Sequence, residues 1–525
     1  MKARGSVTGG MTPARRRVAM GAVCLGLYML GMDLTVLNTL LPDLHRDLDL
    51  TAAQAQWVVD GYALALGGLV LSTGGLTERV GRRRAYVGGL LVCAAASALG
   101  ALATTSHGVI AARVGMGVGA ALFMPATLSI VSGLFPEPAL RRQAIAVWAV
   151  VAGLGMLTGP VVAGLLVSHF SWHSGFWINV PLALISAALA ALLVPTTGPA
   201  RRGRTDVPGA VLSAAGLTTL VWALIEAPGR GWTSLPVTVA FALATALLAT
   251  FAVRQCRTAD PMLPPALLRD RRVSGGAAAV ALVCFALAGS LFVVTLYLQS
   301  ILRYDPWEAG LRLLPQGGAL VIGSASALPL LRRFHEKVPV VLGLLLIAGA
   351  LAVWSSTTSD SGYPRLLVVQ LVAGTGAGLV ATAGTEAVMH AVSPWQAALG
   401  SAVNDASRQV GSVLGIAVQG SILATVYPRR LRTHLDQLPQ PVPTLRRPTP
   451  YDLPGTLDLE ALPPGTRAAA ATAVRHAFIE AMNVTALSTT CVILATTITV
   501  AYALPGPLRR PAPAFLPTAE QEGVR

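Results

Sequence analysis

Apolar residues fill the chain in runs of about twenty, divided by short polar stretches. A hydrocarbon core about 30 Å thick is crossed by ~20 helical residues, so each run predicts a transmembrane helix. Fourteen runs fall at residues 18–41, 57–76, 85–103, 109–134, 144–167, 176–194, 207–225, 235–253, 274–297, 307–330, 338–355, 366–389, 397–426 and 480–503. One polar interval is much longer than the others. Residues 428–475 are rich in proline and read as a long external loop, either without regular structure or folded as a small lid.

Charge alternates between the intervals. One set holds Arg79 and Arg82–Arg84, Arg141 and Arg142, Arg201, Arg202 and Arg204, then Arg254, Arg257, Arg269, Arg271, Arg272, Arg332, Arg333 and Lys337. The other set holds scattered single arginines such as Arg46, Arg230 and Arg365, often beside acids. The positive-inside rule makes the first set cytoplasmic and places both termini inside; the long loop does not count, because long loops cross regardless of charge. Arg15, Arg16 and Arg17 precede the first run and no small-residue cleavage site follows it, which reads as an uncleaved span. Composition points the same way: 54% of the 525 residues are hydrophobic and 12% are charged, against about 25% charged in soluble proteins. The net charge of +15 does not signal nucleic acid, since the arginines sit in the short loops between spans. The five cysteines form no C-x-x-C pair and read as small packing residues, not as a metal or disulfide framework.

The two ends of the chain repeat weakly. RVGMGVGAAL from Arg113 is like QLVAGTGAGL around Gly374. Gly115 and Gly374 are 259 residues apart, Pro136 and Pro394 are 258 apart, and the basic loops at Arg83 and Arg333 are 250 apart. These offsets exceed a six-helix unit by about two helices. The expected organisation is a tail (1–17), a six-helix bundle (18–195), an inserted pair with its loops (196–272), a second bundle holding the external loop (273–505) and a tail (506–525). Duplicated six-helix halves are a transporter architecture with a site at the interface.

Several motifs sharpen this. GGLTERVGRRR lies between spans two and three, where Gly74, Gly75 and Gly81 permit a tight turn and Arg82–Arg84 anchor it at the inner face. Its spacing resembles the major facilitator superfamily signature G-x-L-x-D-R-x-G-R-R through Gly74, Leu76, Arg79, Gly81, Arg82 and Arg83, with Glu78 in the place of Asp. MDLTVLNTLLP from Met32 resembles the first helix of the fourteen-span drug:proton antiporters, the quaternary-ammonium exporter type. Gly155, Gly159, Pro160 and Gly164 resemble the fifth-helix antiporter motif, with Ala163 where a glycine is usual. GSAVNDASRQVGSVLGIAV from Gly400 is similar to the thirteenth helix of that family, and YLQSILRYDPWEAGLRLLP from Tyr297 to its ninth-to-tenth connection, with Arg303 where glycine is usual. Independently of the family, Gly155 and Gly159 lie one turn apart and permit close helix approach, and Pro160 permits a kink.

Charges inside the spans are the candidate chemistry, because each is costly in lipid unless paired or hydrated. Asp33 lies about 22 Å along its span at ~1.5 Å per residue. Asp60 and Arg113 come early in spans that start outside, so all three are expected in the outer third, able to share one aqueous cavity. Asp33 reads as a proton carrier; Asp60 is either functional or a hydrated end residue. The resemblance implies proton coupling for Arg113, although Met116 stands where the family pattern R-x-x-Q-G has glutamine. Glu386, Asp405 and Arg408 are expected in the inner third. Glu386, Asp405 and Asn38 are candidate substrate contacts; Asp405 and Arg408, three apart, are equally able to form a local pair.

The expected fold is therefore an all-α membrane protein of the major facilitator type, with two six-helix bundles and an inserted pair, fourteen transmembrane helices in all. The expected function is proton-coupled efflux of lipophilic, in part cationic, drugs or antibiotics through the cell membrane by alternating access. Partners are the small molecule, protons and the bilayer; no cofactor, metal or nucleic acid is expected. A proton-coupled importer is the alternative within the class, and a membrane-embedded enzyme or sensor the alternative outside it. No phosphate loop, nucleophile elbow or H-E-x-x-H motif occurs in the sequence.

Overall fold

The computed structural model describes residues 11–135, 137–196, 206–258, 261–262, 265–392, 397–437 and 464–504, and all regular structure among them is helical. The first bundle comprises α1 (Pro13–Leu48), α2 (Ala52–Val80), α3 (Arg82–Ala101), α4 (Ser106–Leu134), α5 (Pro138–His169), α6 (His173–Trp177) and α7 (Asn179–Leu193). The inserted pair is α8 (Val207–Arg230) and α9 (Leu235–Arg257), followed by the short α10 (Pro265–Arg269). The second bundle comprises α11 (Arg271–Leu296) with a π-helical turn at Tyr297–Ile301, α12 (Pro306–Phe334), α13 (Lys337–Trp354), α14 (Tyr363–His390), α15 (Ala397–Asp436) and α16 (Pro464–Ala503). Twelve stretches, one of them α6 and α7 together, are long and apolar enough to cross a membrane. α2 and α5 have the length, with 29 and 32 residues. Successive spans alternate in direction, so Pro13, the α2–α3 turn and Ala503 share one face, here termed the basic face.

The helices run past the expected spans where capping allows it. α1 begins at Pro13, inside the segment read as a tail, because the Thr12 hydroxyl accepts the Arg15 amide and Pro13 fits the first turn. The expected loop 428–475 is shortened from both ends. α15 continues through Pro428 to Asp436, and the alanine-rich α16 begins at Pro464; residues 438–463 and the expected tail 506–525 lie outside the described residues. The sixth span is broken: α6 ends at Trp177 and α7 starts at Asn179, because Pro181 has no N–H to return to the preceding turn.

Close packing rests on glycines, and it repeats in the two bundles. A Cβ on Gly119 of α4 would lie 2.7 Å from the Gly89 carbonyl of α3; one on Gly376 of α14 would lie 2.5 Å from the Gly343 carbonyl of α13. Gly117 meets the Tyr62 carbonyl of α2, and Gly374 meets the Gln316 carbonyl of α12. The counterpart of Gly374 is therefore Gly117, not Gly115: the sequence offset was two residues out of register. Likewise Gly155 of α5 seats on the Tyr28 carbonyl of α1, and Gly411 of α15 on the Ala281 carbonyl of α11. Between the bundles, α5 packs on α12 and α15 packs on α2, and α8 packs on α2 and α15.

The inserted pair is clamped at the basic face. The Asp206 carboxylate caps α8 at the Gly209 amide (3.0 Å) and accepts from Arg254 (2.9 Å) and Gln255 (2.8 Å) of α9. Burial pushes this carboxyl up, but those three donors outweigh it and hold it below its ordinary value of 3.8. The clamp is accordingly at full strength above that value and weakens as pH falls through the depressed range.

Arg303, between the π-helical turn and α12, has φ 59°. That left-handed conformation costs an L-residue about 1–2 kcal/mol and costs glycine nothing, which explains the glycine usual at this position of the resembling sequences. Arg303→Gly is expected to raise the thermal unfolding temperature in detergent, by up to about 1 kcal/mol of stability once the greater backbone freedom of unfolded glycine is deducted. A lower unfolding temperature would contradict the conformation assigned to this residue.

Candidate functional site

Asp33 and Arg113 meet in the first bundle. Asp33, two-thirds of the way along α1, is 3% exposed, and Arg113, in the second turn of α4, is 2% exposed. Arg113 Nη1 donates to Asp33 Oδ2 at 2.5 Å and its Nε donates to the Val58 carbonyl of α2 at 3.1 Å. The guanidinium lies 4.4 Å from the centroid of the Tyr62 ring, a cation–π contact that is strong where water is excluded. The other Asp33 oxygen accepts from Asn179 Nδ2 at 2.9 Å. Four elements, α1, α2, α4 and α7, thus converge on one ion pair. Its carboxylate has two donors and its guanidinium a carboxylate, a carbonyl and a ring, as a buried charge requires.

Asn179 and Tyr62 escaped the sequence reading. Asn179 is a lone amide in the apolar stretch FWINVPLAL, and the break at Pro181 makes it the first residue of α7. Tyr62 is one turn past Val58 on α2 and carried no signal apart from that spacing. The glutamine absent at Met116 is not needed to complete this arrangement: Met116 is buried and its carbonyl accepts from Cys93.

Asp60 does not join the pair. It is fully buried, which corrects its reading as a hydrated end residue, and neither carboxylate oxygen has a hydrogen-bond partner. It shares a helical face with Gln56 and Gly67, which approach Gly420 and Gln409 of α15. Asp33 and Arg113 face each other and Asn179 of α7 instead. Asn38 is buried with its Oδ1 unpartnered.

In the second bundle, Glu386 and Glu336 both hold His390, at 3.0 and 2.8 Å, near the basic face. Asp405 and Arg408 are half-buried on α15 and form no direct ion pair among the described residues. Three residues is within reach on a helix, and the Arg408 charge acts on Asp405 without a direct contact. Asn404, beside them, accepts from Thr385 of α14 at 3.1 Å. The packing repeat places Ala286 where the first bundle has Asp33, and Gln370 where it has Arg113. Gln370 is buried with both amide atoms unpartnered. The ionic assembly is present in one half only.

The glycine motif of α5 works on two partners. Gly155 and Gly159 seat on Met32, with built Cβ positions 3.0 Å from its amide and 2.8 Å from its carbonyl, so they press α5 against the helix that carries Asp33. Gly164 faces the other half, where a Cβ would lie 2.6 Å from Trp307 Cα of α12; Gly310 of α12 in turn meets Pro160. Gln299 of the π-helical turn donates to the Thr39 carbonyl at 3.0 Å. These contacts lie away from the basic face and close the halves together there. At the basic end of the signature loop, Gly81 alone separates α2 from α3 with φ 96°. Arg82 donates to the Ser129 carbonyl (3.1 Å) and Arg83 to the Val194 carbonyl (3.3 Å), tying the turn to the ends of α4 and α7. Gly74, Leu76, Glu78 and Arg79 lie outside the described side chains.

Comparison with known proteins places this architecture. The family model described as Major Facilitator Superfamily matches residues 23–416. The methylenomycin A resistance protein of Streptomyces coelicolor is 36% identical over 416 residues, 79% of this chain and 87% of that protein. The tetracenomycin C resistance and export protein of Streptomyces glaucescens is 33% identical over 406 residues, 77% of this chain and 75% of that one. Among solved structures, a bacterial homolog of the human lysosomal transporter Spinster, inward-facing and unoccupied, superposes with a TM-score of 0.63 at 16% identity, covering 95% of this chain and all of that one. With duplicated bundles, a signature turn at Gly81 and relatives of this similarity over most of its length, the chain belongs to the major facilitator superfamily.

Proposed function

We propose that this protein is a drug:proton antiporter that exports lipophilic small molecules, antibiotics among them, across the plasma membrane by alternating access. The observation that carries the reading is the buried Asp33–Arg113 pair braced by Asn179. A carboxyl whose arginine and amide partners can be gained or lost as the bundles rock can take a proton from one compartment and lose it to the other. The basic face is assigned to the cytoplasm by the positive-inside rule, with both termini there, and α2 and α5 bring the crossings to fourteen. On that assignment the α5–α12 and Gln299–Thr39 contacts shut the outer side, and Asp33 is the paired anion of an inward-facing state. Substrate entering from the inside displaces the proton; reprotonation from outside follows its release. A proton moving with the field gains ~2.3 kcal/mol per 100 mV, and a tenfold gradient costs about 1.4 kcal/mol, so one proton supports uphill export.

Relatives named for resistance and export support efflux over import. For cationic substrates, Asp405 is the favoured acid of the two in the second bundle. It is free of a direct ion pair, whereas Glu386 is engaged with His390. Arg408 beside it keeps the local charge near balance, which suits a site that takes neutral compounds as well.

Topology is tested by single cysteines at Ser6, Thr205 and Thr456 in a cysteine-free chain. Only position 456 is expected to react with an impermeant thiol reagent in whole cells; external labelling at 205 would overturn the assignment of the inserted pair.

Coupling is tested at Asp33. Asp33→Asn leaves Arg113 buried without a counter-charge, which should cost about 3–5 kcal/mol of stability. Adding Arg113→Gln should restore most of that loss. Neither variant should release protons when substrate is added to reconstituted vesicles. Wild-type proton release and export by Asp33→Asn would remove Asp33 as the carrier and transfer the role to Asp60.

A further inference from the structure

The two seams between the bundles are related by the packing repeat, but they are not equally covered. α5 on α12 is one seam, and α15 on α2 is the other. α8 lies along the second and touches both of its sides. Residues from all three helices form one dry cluster: Ala53, Ala63 and Leu64 of α2, Val221 and Ile225 of α8, Val413 and Ala417 of α15. If the bundles rock against each other, α2 and α15 separate at one end, and α8 cannot keep both contacts.

The two contacts differ in kind. On the α15 side, Ser421 Oγ lies 2.6 Å from the Leu224 carbonyl of α8 and 2.6 Å from the Ala417 carbonyl of its own helix, so its one proton is shared between them in a part-buried position. One turn further, the Trp232 indole N–H, just past α8, donates to Thr425 Oγ1 at 3.3 Å. Both of these bonds go to α15. On the α2 side the described contact is apolar: Ala53, Trp57, Ala63 and Leu64 of α2 share one cluster with Leu217, Val221 and Ile225 of α8. Further along, a Cβ on Gly68 would sit 3.2 Å from the Ala214 Cβ. A directional bond has to be broken for its partner helix to leave. Dispersion contacts between apolar side chains have no such direction and are exchanged for similar ones as the faces slide. α9 packs on α8, and the Asp206 clamp joins the two at their base, so the pair moves as a unit.

We propose that the inserted pair rides with the C-terminal bundle and slides on α2, acting as a moving cover that keeps the α2–α15 seam closed to lipid while the opposite seam has no such cover. This rests on alternating access, and the test separates the two. Spin labels are placed in a cysteine-free chain, two at a time, at Thr104→Cys (N-terminal bundle), Thr233→Cys (beside the end of α8) and Thr433→Cys (C-terminal bundle), all exposed and away from the basic face. Distances are measured in lipid nanodiscs at acidic and neutral pH. The 104–433 distance, which reports rocking, should gain a component longer by several ångströms. The 104–233 distance should lengthen with it and the 233–433 distance should stay fixed. A fixed 104–233 distance with a moving 233–433 distance would put the pair on the N-terminal bundle and overturn the proposal. No change at 104–433 would overturn alternating access itself, and the proposal with it. A second measurement uses covalent locks. The Gly68→Cys, Ala214→Cys pair has Cβ separation close to that of a disulfide; oxidation should abolish the change at 104–433 and reduction restore it. A short bifunctional thiol linker between Trp232→Cys and Thr425→Cys should leave the change intact. Freezing by the second lock, or persistence under the first, would refute the assignment.

Discussion

Helices in a bilayer cannot be driven together by the hydrophobic effect, because lipid tails are as apolar as the side chains they would replace. What remains is contact, and the contact here is backbone on backbone through glycine. Gly89 with Gly119, Gly117 with Tyr62, Gly155 with Tyr28 and Gly164 with Trp307 each leave no space for a Cβ. The same contacts fix the depth and rotation of α1, α2 and α4. They thereby decide that Asp33, Val58 and Arg113 meet at one level. An ion pair buried to a few per cent exposure needs such registration, because an error of one ångström would leave a charge without its partner in a medium that cannot solvate it.

The pair ties function to that packing. Its four contributing helices belong to one bundle, and α5 presses on the helix that carries the acid while also meeting α12 across the interface. Movement at the Gly164–Trp307 contact therefore acts on α5, and through Gly155 and Gly159 on the surroundings of Asp33. That is a mechanical path between the gate and the proposed proton site, made of three glycines on one helix. Asp60 stands apart from it, on the face of α2 that meets the other half. Its protonation state would be felt directly at the α2–α15 seam.

Much of this was legible in the sequence. Periodic apolar runs and alternating arginines specify the spans, and short, charged intervals mark the turns. The ion pair was legible as three charges out of place in apolar runs, although not which two would meet. That depended on rotation about α2, which no hydropathy pattern encodes for a helix apolar on nearly every side. Asn179 was hidden because one amide among apolar neighbours has no pattern; only the break at Pro181 gives it a position. The ends of α15 and α16 were missed because RRLRTHLD and PGTRAAAATAVR are polar or weakly apolar yet strong helix formers, and hydropathy does not measure helix propensity. The repeat was visible, but the abundance of glycine allowed a register error of two that only backbone contacts could correct.

The packing repeat maps Asp33 onto Ala286 and Arg113 onto Gln370. Two copies of one design have therefore come to bear unequal burdens. In the first, on the proposed coupling, a change at any of Asp33, Tyr62, Arg113 or Asn179 would disturb the step that every cargo shares. In the second, the equivalent positions are neutral, so no buried ion pair has to be kept at them when neighbouring side chains change. Selection for a new toxic compound can act on the second copy with little penalty to coupling. On that proposed division, diversification of what is carried is separated, within a single polypeptide, from the inheritance of how it is powered.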